Sequence, residues 1–231
     1  MIDRRTAHGV ELSGYGRSVL GAPLCYLPPR SDSCRLLIIA GLHGEEPETT
    51  VALSRAFRSL AAEKLCDGVA LIFAANPDGL ALGTRGNANG VDLNRNFPAS
   101  NWQPDPTTCR WHVDEEEEVA IETGSAPASE PETQALLDLI SLLEPTCIVS
   151  LHAPLACIDD PDQSPLAQRL ASGTGLPLVE QIGYPTPGSM GSWASELNQR
   201  LITWEFPPES VEALSKTQVP VLIELLSKAD Y

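Results

Sequence analysis

Arg35-Leu36-Leu37-Ile38-Ile39-Ala40-Gly41-Leu42-His43-Gly44-Glu45-Glu46-Pro47 is the stretch that decides the architecture. Arg35–Ala40 is a short, unbroken apolar run. A strand reads this way when both of its faces are covered, as in a parallel sheet with helices on either side. Polar residues follow at once, and Pro47 suits the first turn of a helix. From there to Glu63 the apolar residues Val51, Leu53, Phe57, Leu60 and Ala61 fall mostly three or four apart, which predicts a helix over Pro47–Glu63. A buried strand, a polar loop and a helix form the repeating unit of an α/β sheet.

The same unit recurs outward along the chain. Val69–Ala75, Thr146–Leu151 and Leu201–Phe206 read as further buried strands, with Leu178–Ile182 as an additional one. Glu130–Leu143 is amphipathic, with Leu136, Leu137, Ile140 and Leu143 inward. Pro165–Gly173, Trp193–Asn198 and Val211–Lys228 read as helices, the last kinked or split at Pro220. Residues 10–27 form a small β segment punctuated by Gly14, Gly16 and Gly21. Residues 76–112 are rich in Asn, Gly and Pro and read as loop, and Asp114–Glu118 as a solvated acidic run. The expected fold is one α/β domain over 1–231, with a mixed, mostly parallel central sheet flanked by helices.

Composition narrows the partners. The 231 residues are 42% hydrophobic, enough for a full core, and carry a net charge of −16. Nucleic acids and anionic membranes require a basic face, so neither is an expected partner. The longest apolar run near the strand, Leu36 to Leu42, is far too short to span a bilayer. Met1 to Ser13 has no apolar core of a signal peptide, so a cytoplasmic location is expected. Cys25, Cys34, Cys66, Cys109, Cys147 and Cys157 form no CxxC pair and read as reduced thiols.

The chemistry gathers at strand ends. Of the four histidines, His8, His43, His112 and His152, two stand just past predicted strands. Open α/β sheets place functional groups there, so His43 and His152 can converge. Glu46, three residues after His43, can turn toward the same point, while Glu45 reads as solvent-facing. His, Glu and His leave a fourth position open, the pattern of catalytic zinc, and imidazole with carboxylate favours zinc over calcium or magnesium. On spacing alone His-x-x-Glu is a weak signal, since surface pairs share it. Glu205 lies in the apolar strand Leu201–Phe206 and could serve as a general base beside a metal site, or as a salt-bridged strand-end carboxylate. Arg85, Asn94 and Arg95 flank a run of amides and glycines: Asn94 and Arg95 could clasp a carboxylate and Arg85 could stabilise an oxyanion, or the segment could be an ordinary surface loop.

Taken in order, His43-x-x-Glu46, Asn76-Pro77-Asp78-Gly79, Asp92-Leu93-Asn94-Arg95-Asn96-Phe97-Pro98, His152 after a strand and Glu205 before Phe206-Pro207 resemble the zinc carboxypeptidases of the carboxypeptidase A type. The resemblance runs from about Leu36 to Pro207. It implies one Zn2+ held by His43, Glu46 and His152, with Glu205 activating water and passing its proton to the leaving amine. It implies further that Arg85 polarises the scissile carbonyl, that Asn94 and Arg95 hold a terminal carboxylate, and that Tyr184 closes over substrate, though a loop-packing tyrosine fits that position too. Only 42 residues precede His43, where secreted members carry a long pro-segment, and several family loops are missing.

Tyr15–Pro23, Asn87–Pro98, Ser129–Leu136 and Pro154–Ile158 are similar to the bacterial murein peptide amidase A family. That resemblance implies hydrolysis of the γ-D-glutamyl–meso-diaminopimelate amide in murein tripeptide during cell-wall recycling, with a small murein peptide as the partner. Asp159, Asp160 and Ser189 are candidates for the far end of diaminopimelate. A zinc deacylase of N-acyl amino acids and a murein-peptide-binding module without turnover are the rival readings. The Asn94-Arg95 clasp argues against the first and Glu205 against the second.

Overall fold

The structure is a computed structural model that describes residues 11–60, 64–111 and 117–228. Its centre is a six-stranded sheet. In chain order the strands are β3 (Leu36–Ile39), β4 (Val69–Ile72), β7 (Cys147–His152), β8 (Cys157–Asp159), β9 (Leu178–Val179) and β10 (Leu201–Glu205). In space they run β4-β3-β7-β10-β8-β9. The pairs β4–β3, β3–β7, β7–β10 and β8–β9 are parallel, and β10–β8 is antiparallel. The expected mixed, mostly parallel sheet is therefore present.

All four residues of β3 are fully buried, because successive side chains serve opposite layers. Leu36 and Ile38 face a core completed by α1 (Pro47–Ser59), α4 (Pro165–Thr174), α6 (Val211–Thr217) and α7 (Val219–Ser227). Leu37 and Ile39 face a second core beneath α3 (Pro131–Leu143) and α5 (Met190–Glu196), with Leu93 and Phe97. Ile148 of β7 belongs to this second layer. Alternation then aims Ser150 and His152 to the same side, and their partners Thr203 and Glu205 with them. A small antiparallel ribbon of β1 (Ser13–Arg17) and β2 (Pro23–Tyr26) precedes the sheet, as the sequence suggests.

Several boundaries differ from the sequence expectation. The helix α1 ends at Ser59, and 61–63 lie outside the described residues. Alanines 52 and 56 with Leu53 form its buried stripe, while Val51 and Phe57 are half-buried. His152 is the last residue of β7, since its peptide still pairs with Glu205 in the ladder. The C-terminal helix is split into α6 and α7 at Gln218, with Pro220 in the first turn of α7, where its missing N–H costs nothing. The long loop over 76–112 contains structure. Asn76 accepts from the Gly79 amide at 2.9 Å and starts the short helix α2 (Pro77–Leu82). Leu93–Arg95 form a 3-10 turn capped by Asp92. Thr107–Trp111 (β5) pair with Glu117–Ile121 (β6), so part of the acidic run is a strand, and 112–116 lie outside the described residues. Among the described residues no helix is long and apolar enough to cross a membrane, and Cys25, Cys34, Cys66, Cys147 and Cys157 are free thiols.

Candidate active site

The site stands at the carboxyl ends of β3, β7 and β10. After β3 the chain turns through Gly41 at φ +64°, a left-handed conformation suited to glycine. It then presents His43. Gly44 lies flat against α2: a Cβ there would stand 1.9 Å from the carbonyl carbon of Gly79. This contact fixes the loop between His43 and Glu46, the latter at the start of α1. From the end of β7, the strand next to β3, His152 reaches the same point.

Three side chains meet there. His43 Nδ1 is 2.7 Å from Glu46 Oε1, His152 Nδ1 is 3.1 Å from Glu46 Oε2, and the two Nδ1 atoms are 3.2 Å apart. One donor atom from each of the three lies within 4.8 Å of the others, and all three residues are buried. The outer ring nitrogens are occupied elsewhere. His43 Nε2 lies 3.1 Å from Asp92 Oδ1, and His152 Nε2 lies 3.0 Å from Ser150 Oγ. Asp92 accepts from His43 Nε2, so that with a metal ion between the imidazoles and Glu46 the His43 proton stays on Nε2 and its Nδ1 lone pair faces inward. Ser150 can accept from His152 Nε2 and leave that Nδ1 free in the same way. Two inward lone pairs and a carboxylate converging on one point match the donor set of zinc.

Electrostatics support that reading. Burial alone would raise Glu46, but the facing His43 and His152 outweigh it and hold the carboxyl far below its usual range. Asp92 is likewise held well below its usual value, burial being overcome by Arg85 and His43. Glu205 goes the other way. Burial pushes its pKa up and the Glu46 charge adds to the push, with His152 opposing. Its Oε2 accepts from the Leu155 amide at 3.3 Å, and its Cα is the ladder partner of His152. A buried carboxyl with a raised pKa beside a metal-type donor set is suited to take up and pass on a proton.

The remaining predicted residues line one cleft of about 1370 Å³ with these groups. Arg85 bonds Asp92 Oδ2 through Nε at 2.8 Å and Glu45 Oε1 through Nη1 at 3.0 Å, with Glu46 Oε1 at 3.7 Å. Glu45 is therefore an ion-pair partner rather than the solvent-facing neighbour that the sequence suggested. Asn94, which lines the cleft, accepts the Met190 amide through Oδ1 at 2.9 Å. Arg95 is buried and bonds the Asn94 carbonyl at 2.8 Å, yet makes no ion pair among the described residues. Tyr184 is half-exposed on a loop of the cleft wall, and burial with the nearby Glu205 charge raises its pKa. His8 and His112 lie outside the described residues.

Sequence reasoning gave no role to Asp92 or Ser150, the groups that orient the two imidazoles. Asp92 carried a usable signal, an acid two positions before Asn94-Arg95 in a stretch without other acids. Ser150 carried none, since its alignment with His152 follows from the pleat.

The comparisons with known proteins agree with this geometry. A family model described as zinc carboxypeptidase matches residues 4–156. The murein peptide amidase A of Escherichia coli (strain K12) is 50% identical over 214 residues, covering 92% of this chain and 88% of its own length. That of Vibrio campbellii is 45% identical over 224 residues, covering 96% and 90%. The crystal structure of a murein-tripeptide amidase from Escherichia coli O157 superposes with a TM-score of 0.92 at 45% identity, covering 100% of this chain and 98% of that one. With the His-Glu-His convergence at the sheet's carboxyl edge and matches over most of its length, the chain belongs to the zinc carboxypeptidase family.

Proposed function

We propose that this enzyme is a zinc amidase that hydrolyses the γ-D-glutamyl–meso-diaminopimelate bond of murein tripeptide, L-Ala-γ-D-Glu-meso-diaminopimelate, and releases diaminopimelate during peptidoglycan recycling. The amidase names of relatives 45–50% identical over most of the chain point to the substrate. The observation that carries the chemistry is the convergence of His43, Glu46 and His152 beside Glu205.

In this reading His43, Glu46 and His152 hold one zinc, which when bound supplies Lewis-acid polarisation and a more acidic water. Arg95, with donors uncommitted to any described carboxylate, and the Asn94 NH2 bind the α-carboxylate of diaminopimelate next to the scissile amide. Arg85, anchored by Asp92 and Glu45, faces the carbonyl oxygen and stabilises its growing negative charge. Glu205 takes a proton from the attacking water and delivers it to the leaving amine. Its raised pKa, caused by burial, favours the protonated form from which it delivers that proton. Tyr184, half-exposed at the wall, closes over the bound peptide and excludes water. We take the chain as one catalytic domain, supported by two core layers that share one sheet, and place its work in the cytoplasm, where small murein peptides are recycled.

Incubation of zinc-loaded protein with the tripeptide, followed by mass spectrometry, tests the assignment. Equimolar diaminopimelate and L-Ala-γ-D-Glu are expected. Intact tripeptide, or faster release from N-acyl amino acids, would replace this reading with binding or deacylation.

A further inference from the structure

Two rows of side chains cross the sheet under the cleft. Glu205 is the ladder partner of His152 on one side and of Cys157 on the other, and Thr203 is the partner of Ser150 and of Asp159. Directly opposed residues point to the same face. One row is thus His152-Glu205-Cys157, and the next, one dipeptide deeper, is Ser150-Thr203-Asp159. Glu205, Thr203 and Asp159 all line the cleft.

Asp159 is anomalous in that row. Its Oδ1 is buried with no hydrogen-bond partner, and no cation pairs with it among the described residues. Burial and the neighbouring Asp160 charge push its pKa up to about 6. Its two neighbours in function are already committed. Asp160 accepts from the Asp162 and Ser164 amides at 3.1 and 2.9 Å. Ser189 caps α5 by accepting from the Ser192 amide at 3.0 Å. A buried acceptor without a donor is costly to keep, so a carboxylate in this state beside a catalytic cleft calls for a ligand that brings the donor.

We propose that Asp159 is the specificity carboxylate of the cleft and binds the distal ammonium of the leaving amino acid. The dimensions agree. Asp159 lies one strand across from Glu205 and two residues down, about 8 Å between backbones at ordinary strand spacings. The distal ammonium of diaminopimelate is five bonds from its α-carbon, on the order of 6 Å when extended. With the α-carboxylate on Asn94 and Arg95, the side chain runs past Thr203 to Asp159, where a charge-assisted bond completes the buried oxygen. Asp159 thereby favours a leaving residue that carries a distal ammonium over one of equal length that lacks it.

The inference rests on the amidase reading, and one comparison separates the two. The wild-type enzyme is given murein tripeptide and the same peptide ending in 2-aminopimelate, which lacks only the distal ammonium. A kcat/KM ratio of roughly 10- to 150-fold in favour of diaminopimelate is expected for one charged hydrogen bond, and Asp159→Asn should bring the ratio close to one. Product inhibition of the wild type by free meso-diaminopimelate and by 2-aminopimelate should show the same order without any variant. Equal wild-type turnover of both peptides, or an unchanged ratio in Asp159→Asn, overturns the pocket assignment alone. Turnover of neither peptide overturns the amidase reading and the pocket with it.

Discussion

His152 and Glu205 are direct ladder partners on the parallel strands β7 and β10. A candidate metal ligand and a candidate base are therefore held one strand spacing apart, about 4.8 Å between backbones. No loop conformation enters that relationship, so the base is preorganised by the same hydrogen bonds that build the sheet. Glu205→Gln keeps the shape and the strand pairing but cannot carry a proton. It should retain zinc at wild-type stoichiometry and lose about 10²–10⁴-fold in kcat. Metal analysis alongside tripeptide turnover checks both halves, and near-normal turnover would remove Glu205 from the mechanism.

Asp92 joins two functions, with Oδ1 on His43 Nε2 and Oδ2 on Arg85 Nε. Asp92→Asn can donate to His43 and reverse the tautomer that turns Nδ1 inward. Zinc affinity should fall by about 10- to 100-fold, as for other partners of metal-bound histidines. Competition with a chromogenic chelator measures it. Unchanged affinity would mean that His43 is oriented by packing alone.

Arg95 is the buried cation with no described carboxylate partner. Arg95→Lys retains charge and loses the planar fork that grips a carboxylate in two places. The expected result is a KM increase of roughly tenfold or more with little change in kcat. A fall in kcat at constant KM would instead place Arg95 in transition-state stabilisation.

Gly44 leaves no space for a side chain against Gly79. Gly44→Ala must move the loop that sets His43 and Glu46, because the obstacle is backbone. A stability loss of about 1–3 kcal/mol is expected from the overpacking, with weaker zinc binding. Denaturant unfolding with and without zinc tests this, and a variant as stable as wild type in both would show the loop to be pliable.

Asp159 also makes a stability prediction. Its pKa in the folded protein is raised to about 6 from an ordinary value near 3.8, burial and Asp160 being the causes. The folded state therefore holds this proton more tightly than the unfolded chain. That contribution is present below the unfolded pKa and is lost as pH rises through about 6. Asp159→Asn removes the charge, so the variant should exceed wild type in stability by about 1–2 kcal/mol at pH 8, after allowance for screening of a partly exposed group. The gap should close near pH 4. Chemical denaturation at the two pH values checks the sign.

Much of this was legible in sequence because the sheet is covered on both faces. Unbroken apolar runs such as Leu36–Ile39 carry a strong strand signal, and polar residues just after them mark the functional edge. What escaped notice depends on pairing between distant segments. β8 is three residues long and is a strand because β10 lies beside it, so Asp159's place under the cleft follows from register rather than local pattern. β5 and β6 lack clear alternation and are defined by each other. α2 was hidden in a composition of Asn, Pro and Gly that also suits loops, although Asn76 before Pro77 is a cap followed by a first-turn proline. The pairing of Glu45 with Arg85 spans forty positions and has no sequence signature.

The central claim is that two imidazole nitrogens and one carboxylate, drawn from β7 and the loop after β3, hold a single zinc ion beside Glu205. Anomalous diffraction at the zinc edge from crystals of the zinc-loaded protein tests it most directly. One strong peak is predicted within about 2.0–2.2 Å of His43 Nδ1, His152 Nδ1 and a Glu46 oxygen. A peak bound elsewhere, or a crystal of active enzyme with no zinc between those three residues, would contradict it.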